Sequence, residues 1–246
     1  MTDSPGELAK NINIVKISEQ GKKNESMNQT TKSKHAYSPR VKKKRDRARR
    51  EILDVARDLL KEGGVEAVTL ASVAGALDMT KQALYHYFPS KEALTRSLVT
   101  ALIDDEVESL VAAIAAADSG NETLGTLIRA FYDHYVNDLN GFRAVYCQLQ
   151  LYSPPDQRMD ERTIRDDINP RTRHLFDSLE ARLTTDGMSK SRRDRLRRLA
   201  FTAWTSALGL MTIRGVTDAL DDPLVHSDED LLATLAATFD GAAVQP

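Results

Sequence analysis

Cysteine is nearly absent: Cys147 is the only one in 246 residues. A lone thiol excludes an intramolecular disulfide framework and any zinc or iron–sulfur site built from several thiolates. Long apolar runs are missing too; Val111–Ala117 is among the longest, far short of the roughly 18 residues a bilayer span needs. The opening stretch MTDSPGELAKNINIVKISEQGKK has no apolar core after a basic start, so it does not read as a secretion signal. The expectation is a soluble, cytoplasmic protein without a membrane partner. Catalytic signatures are also lacking: no G-x-S-x-G, phosphate loop, G-x-G-x-x-G or H-E-x-x-H occurs, and His35, His86, His134, His174 and His226 are scattered. Cys147 has no recognisable base partner and reads as a small apolar side chain. No enzymatic activity, cofactor or metal is therefore expected.

What is present is an uneven charge. The 34 Lys and Arg against 36 Asp and Glu give a net −2. Residues 1–50 hold 14 of the basic residues and only 5 acidic ones, a local +9, which leaves −11 on the remainder. A basic head on an acidic body points to an anionic partner, nucleic acid or an anionic membrane. The 41% hydrophobic content suffices for a buried core.

Residues 1–45 are rich in Lys, Asn, Ser, Gln and Thr and offer no helical stripe, so they are expected to form a disordered basic arm. The arm ends in Arg40, Lys42, Lys43, Lys44 and Arg45, followed by Arg47. Alone, such a run reads equally well as a solvated, solubilising face. From Asp46 to Leu98 the pattern turns helical. Ile52, Ala56, Leu59 and Leu60 make one stripe, stopped by Gly63-Gly64; Thr69 opens a second short helix and Thr80 a third, with Ser90 capping a long fourth. Two short helices joined by a turn at Asp78-Met79 have the dimensions of a helix-turn-helix. On the third helix Leu84, Tyr87 and Phe88 point inward, while Lys81, Gln82, Tyr85 and His86 point out. These outward groups suit base edges and phosphates, although a three-helix bundle with a polar face would show the same periodicity.

The string TLASVAGALDMTKQALYHYFPSKEAL over residues 69–94 closely resembles the DNA-binding signature of the tetracycline-repressor (TetR) family, and the resemblance extends along about Arg47–Leu98. Two positions depart from it: Asp78 stands where the family usually has Gly, and Gln82 where many members have a small residue or Pro. Asp tolerates a left-handed backbone better than most residues. The resemblance implies phosphate contacts from Thr69 and Lys91, groove contacts from Thr80, Lys81, Gln82, Tyr85 and His86, and a basic arm (Arg40, Lys42, Lys43, Lys44, Arg45, Arg47) along the backbone or in the minor groove.

Residues 99–246 read as helices without a convincing strand. The expected fold is all-α, a three-helix reading module followed by a larger helical bundle, about nine helices in total. By the resemblance this body binds a small-molecule effector and makes a homodimer on a palindromic double-stranded DNA operator, as a repressor released by that effector. The effector pocket would draw on Phe131, Tyr135, Phe142, Arg143, Tyr146, Cys147, Leu151, Phe176, Trp204, Leu208 and Met211. The dimer face would draw on Leu199, Ala203, Ala207, Leu210, Leu231, Leu235 and Phe239. Both sets read equally as plain monomer core. The alternative function is a constitutive or architectural DNA-binding dimer without an effector.

Overall fold

Twenty-three residues from Arg40 to Glu62 contain neither Gly nor Pro and are dense in Lys, Arg, Leu and Ala, all good helix formers. In the computed structural model they form one helix, α1 (Pro39–Ala67), with Pro39 in the first turn, where its missing N–H costs nothing. The structure describes residues 39–152, 161–217 and 226–245, with side chains throughout except at 148–152 and 215–217. The expected disorder of residues 1–38 and the loop at Ser153–Asp156 lie outside the described residues. The expectation that the arm runs to residue 45 is corrected: Arg40 to Arg45 ride on a helix, because nothing in their sequence breaks one. Ile52, Ala56 and Leu60 are its buried stripe, and Gly64 takes a left-handed φ of 68° where the stop was expected.

α2 (Leu70–Ala76) and α3 (Lys81–Tyr85) follow, each opened by a side-chain cap. Between them Asp78 adopts φ 50°, alone among the described non-glycine residues in having a positive φ. Here the departure from Gly is accommodated, in the conformation that Asp tolerates. Ser90 caps α4 (Lys91–Ala116), which is about 39 Å long and runs without a break through the expected boundary between module and body at 98/99.

The body comprises α5 (Thr123–Tyr135), the single turn α6 (Leu139–Phe142) continuing as a π-helix (Arg143–Tyr152), and the short α7 (Glu161–Thr163) with a π-turn at Ile164–Ile168. α8 (Asn169–Leu183), α9 (Lys190–Thr217) and α10 (Asp228–Val244) complete it. All described elements are helical, so the fold is all-α. α5 is central: it packs on α4, α9 and α10, while α8 lies against α4. One apolar cluster runs from Ile52 in α1 to Ala243 in α10.

α10 also caps α5. The Asp240 carboxylate accepts from the Leu124 and Gly125 amides at 3.1 and 2.9 Å, satisfying two donors that a helix start leaves open. Gly125 lets the two helices meet this closely, since a Cβ there would lie 2.3 Å from Asp240 Oδ2 and 2.9 Å from Ala236 Cβ. Gly125→Ala is therefore expected to destabilise by about 1–3 kcal/mol through overpacking, lowering Tm by roughly 3–10 °C in a thermal melt.

Candidate functional site

The reading module is built from caps. Thr69 Oγ1 accepts from the Ser72 amide and Ser72 Oγ accepts from the Thr69 amide, both at 3.0 Å, a reciprocal box that starts α2. Thr80 Oγ1 accepts from Ala83 N at 3.1 Å and starts α3. Leu84 and Phe88 are buried against α1 and α2, which turns Thr80, Lys81, Gln82, Tyr85 and His86 outward; all five are exposed, Tyr85 at 46% despite its size. Arg49 of α1 fixes the far end of α3: it donates to the Tyr87 carbonyl at 2.5 Å and to Ser97 Oγ at 3.3 Å, with its guanidinium 4.2 Å from the Phe88 ring centre. Arg45 donates to the His86 carbonyl at 3.4 Å. Lys91, in the first turn of α4, is half-buried and 3.8 Å from Glu66. Lys42, Lys43, Lys44, Arg47 and Arg50 are exposed along α1.

The body holds a polar centre in an apolar surround. Three consecutive acids midway along α4 each grip a different element. Asp104 takes the Arg171 guanidinium of α8, one of its bonds measuring 3.0 Å, and Asp105 pairs with Arg57 of α1 at 2.5 Å. Glu106 turns inward, 3% exposed. Its carboxylate accepts from Tyr135 of α5 and from Tyr146 of the π-helix, the latter at 2.7 and 2.8 Å to the two oxygens. Burial pushes the Glu106 carboxyl up to about 7, against the pull of both phenol hydrogen bonds. Burial and the facing carboxyl push the two phenols well above their usual range.

Rings enclose this centre. Phe131 and Tyr135 meet edge-on at 5.3 Å, Phe142 and Tyr146 lie tilted at 5.4 Å, and Tyr146 lies 6.1 Å from Trp204, which leads on to Phe176 and Phe201. α6, contiguous with the Tyr146 helix, reaches the reading module, where Asn140 Nδ2 donates to the Lys61 carbonyl of α1 at 3.0 Å.

A sequence model of the family described as "Bacterial regulatory proteins, tetR family" matches residues 52–98, the whole of the reading module from Ile52. Over residues 52–98 the chain therefore resembles the tetR family. It is 26% identical over 161 residues to the HTH-type transcriptional repressor KstR2 of Rhodococcus jostii, an alignment covering 64% of this chain and 77% of that protein. A tetR-family transcriptional regulator from Streptomyces coelicolor shares the fold with a TM-score of 0.57 at 18% identity, covering 80% of each chain. FadR from Bacillus subtilis, solved with stearoyl-CoA, matches with a TM-score of 0.53 at 17% identity, over 79% of this chain and 96% of that one.

Within the body the expected pocket residues divide. Phe131, Tyr135, Phe142, Tyr146 and Trp204 come together around Glu106; Met211 is buried, and Cys147, Phe176 and Leu208 are half-buried beside the core. Arg143 does not join them: it is exposed and donates to Asn140 Oδ1 at 3.3 Å, because a guanidinium without an anion stays in water. The side chain of Leu151 lies outside the described residues. The Cys147 thiol is pushed up by burial, away from the reactive thiolate. The dimer set also needs correction. Ala203, Ala207 and Phe239 are buried inside the protomer, since the small residues let α9 approach α5, whereas Leu199, Leu210, Leu231 and Leu235 are half-buried. The outer faces of these helices instead carry Thr202 and Ile213 on α9, and Ala233, Thr234, Ala237 and Val244 on α10.

Glu106, Asp104, Asp105 and Arg49 were not among the expected site residues. The acid run Asp104-Asp105-Glu106 was visible as a polar interruption of an apolar helix, and that was the available signal. Between pH 4.5 and about 7 the folded protein holds a proton on Glu106 that the unfolded chain releases, so this group makes stability fall as pH rises through that window. Compared with Glu106→Gln, the wild type should lose on the order of 3 kcal/mol between pH 5 and pH 8, measured by denaturant unfolding of both proteins at each pH.

Proposed function

We propose that the chain is a ligand-responsive repressor that binds a palindromic operator as a homodimer and leaves it when an effector enters the body. The observation that carries this reading is the outward face of α3, where Lys81, Gln82, Tyr85 and His86 are exposed side by side on a helix held by caps and by Arg49. In the major groove, Gln82 has an amide for bidentate contact with adenine, and Lys81, Tyr85 and His86 have donors for bases or phosphates. Thr69 and Lys91, at the starts of α2 and α4, would meet the flanking phosphates with amide donors and positive helix ends. The exposed Lys and Arg side chains of the α1 extension would follow the backbone, while the −11 of residues 51–246 keeps the body off it. A single short helix reads few bases, so two copies with α3 helices roughly 34–36 Å apart supply the missing specificity. The relative named as a repressor supports the sign of regulation.

The body would act through α4. An effector that favours one arrangement of α5, α6 and the π-helix about Glu106 changes how α6 and Asp105 hold α1, and with it the spacing of the two reading heads. The contacts needed are Asn140 to Lys61 and Arg57 to Asp105.

Fluorescence anisotropy on a sequence selected from random duplexes tests this. Gln82→Ala should cost about 1–3 kcal/mol in operator binding and relax preference at one base per half-site. The combined Lys42→Ala, Lys43→Ala and Lys44→Ala variant should weaken all sequences alike and flatten the log–log salt dependence by roughly 2–3 per protomer. Preference and salt slope unchanged in both variants would remove α3 and α1 from the interface.

A further inference from the structure

The three acids of α4 differ in one respect that bears on the effector. Asp104 and Asp105 each have a guanidinium, from Arg171 and Arg57. Glu106 is the most deeply buried of the three, and its described partners are two phenols, Tyr135 and Tyr146; among the described residues no basic side chain bonds to it. Phenol hydrogen bonds satisfy the oxygen lone pairs but do not neutralise a charge, so the buried carboxyl keeps its proton up to about pH 7 and gives it up where a cation takes the proton's place. The side chains around it are aromatic: Phe131, Phe142 and Trp204 join the two tyrosines, with neighbouring ring centres 5.3–6.1 Å apart. Aromatic faces attract cations through their quadrupoles, most strongly where water is excluded. Arg143, the basic member of the expected pocket set, faces solvent, so none of the described members of that set supplies a charge for an anionic ligand.

We propose, resting on the reading of the body as the effector domain, that the effector is an organic cation, an ammonium or similar group on an apolar frame, with Glu106 as its counter-ion. The rings are in contact in this structure, so the seat opens by withdrawal of Tyr146, whose hydroxyl gives up Glu106 to the ligand. Tyr146 belongs to the π-helix that continues α6, and α6 holds α1 through Asn140. Occupation of the seat therefore shifts the element on which the reading module leans. An anionic effector would meet Glu106 as a like charge, and a neutral one would leave it without its counter-ion.

The test uses the full-length protein and three probes of similar size: benzyltrimethylammonium, its uncharged carbon isostere neopentylbenzene, and anionic phenylacetate. Trp204 is the sole tryptophan and lies beside Tyr146, so its fluorescence reports the seat directly. The cation should bind at least tenfold more tightly than either other probe, and Glu106→Gln should remove that preference by weakening the cation. Circular dichroism and Tm of the variant establish that it is folded, and the probe series on wild type needs no variant. Equal binding of all three, tighter binding of phenylacetate, or no response to the cation up to millimolar concentration would overturn the proposal. Anisotropy on operator DNA in the same samples separates the two readings. Cation binding without any change in DNA affinity retains the ligand class and removes the switch. Intact DNA binding by a protein indifferent to the cation retains the DNA-binding regulator and removes the ligand class.

Discussion

α4 is the constraint on which the other elements depend. Its first turn stands beside the reading module, its middle passes through the body core, and no Gly or Pro interrupts it from Lys91 to Ala116. An unbroken helix of that length transmits displacement because bending it would sacrifice backbone hydrogen bonds. Asp104, Asp105 and Glu106 anchor it to α8, α1 and the aromatic centre within a single turn. Successive helical residues are 100° apart, so three adjacent acids necessarily reach three different neighbours. The exposed pairs among these contribute little stability individually. Their importance lies in fixing which way the helix is turned.

Glu106 is a different kind of contact. A carboxylic acid in a ring-lined interior would be exchanged for a Leu or Met if stability alone mattered, since well-packed apolar replacements of buried polar clusters are often neutral or better. Both tyrosine hydroxyls converge on it, from two separate helices, in an otherwise apolar region. Such a group specifies one packing arrangement of α4, α5 and the π-helix and penalises others, which makes it a suitable pivot between two conformations.

The reading module was legible in the sequence because local signals determine it. Thr69, Thr80 and Ser90 cap three helices at the positions where hydroxyls precede apolar periodicity, and Asp78 stands in the turn that requires a positive φ. The body was legible only as helices. Apolar spacing does not tell a π-helix from an α-helix, so residues 143–152 carry no mark of their π geometry in the sequence. Nor does a stripe of Ala and Leu reveal whether its partner is another helix of the same chain or a second copy. Ala203 and Ala207 face inward for that reason. The aromatic members of the pocket were recognisable by type, whereas Glu106 and the outward turn of Arg143 depend on contacts between residues far apart in sequence.

The proposed switch requires the Glu106 centre and the reading module to move as one mechanical unit. Hydrogen–deuterium exchange of the full-length protein measures this directly when wild type is compared with Tyr146→Phe, which removes one hydroxyl and no ring. Exchange is expected to quicken not only around Tyr146 but also in α6 and in the end of α1 near Lys61, the two elements joined by Asn140. Faster exchange confined to the π-helix and the middle of α4, with α6 and α1 unchanged, would contradict it.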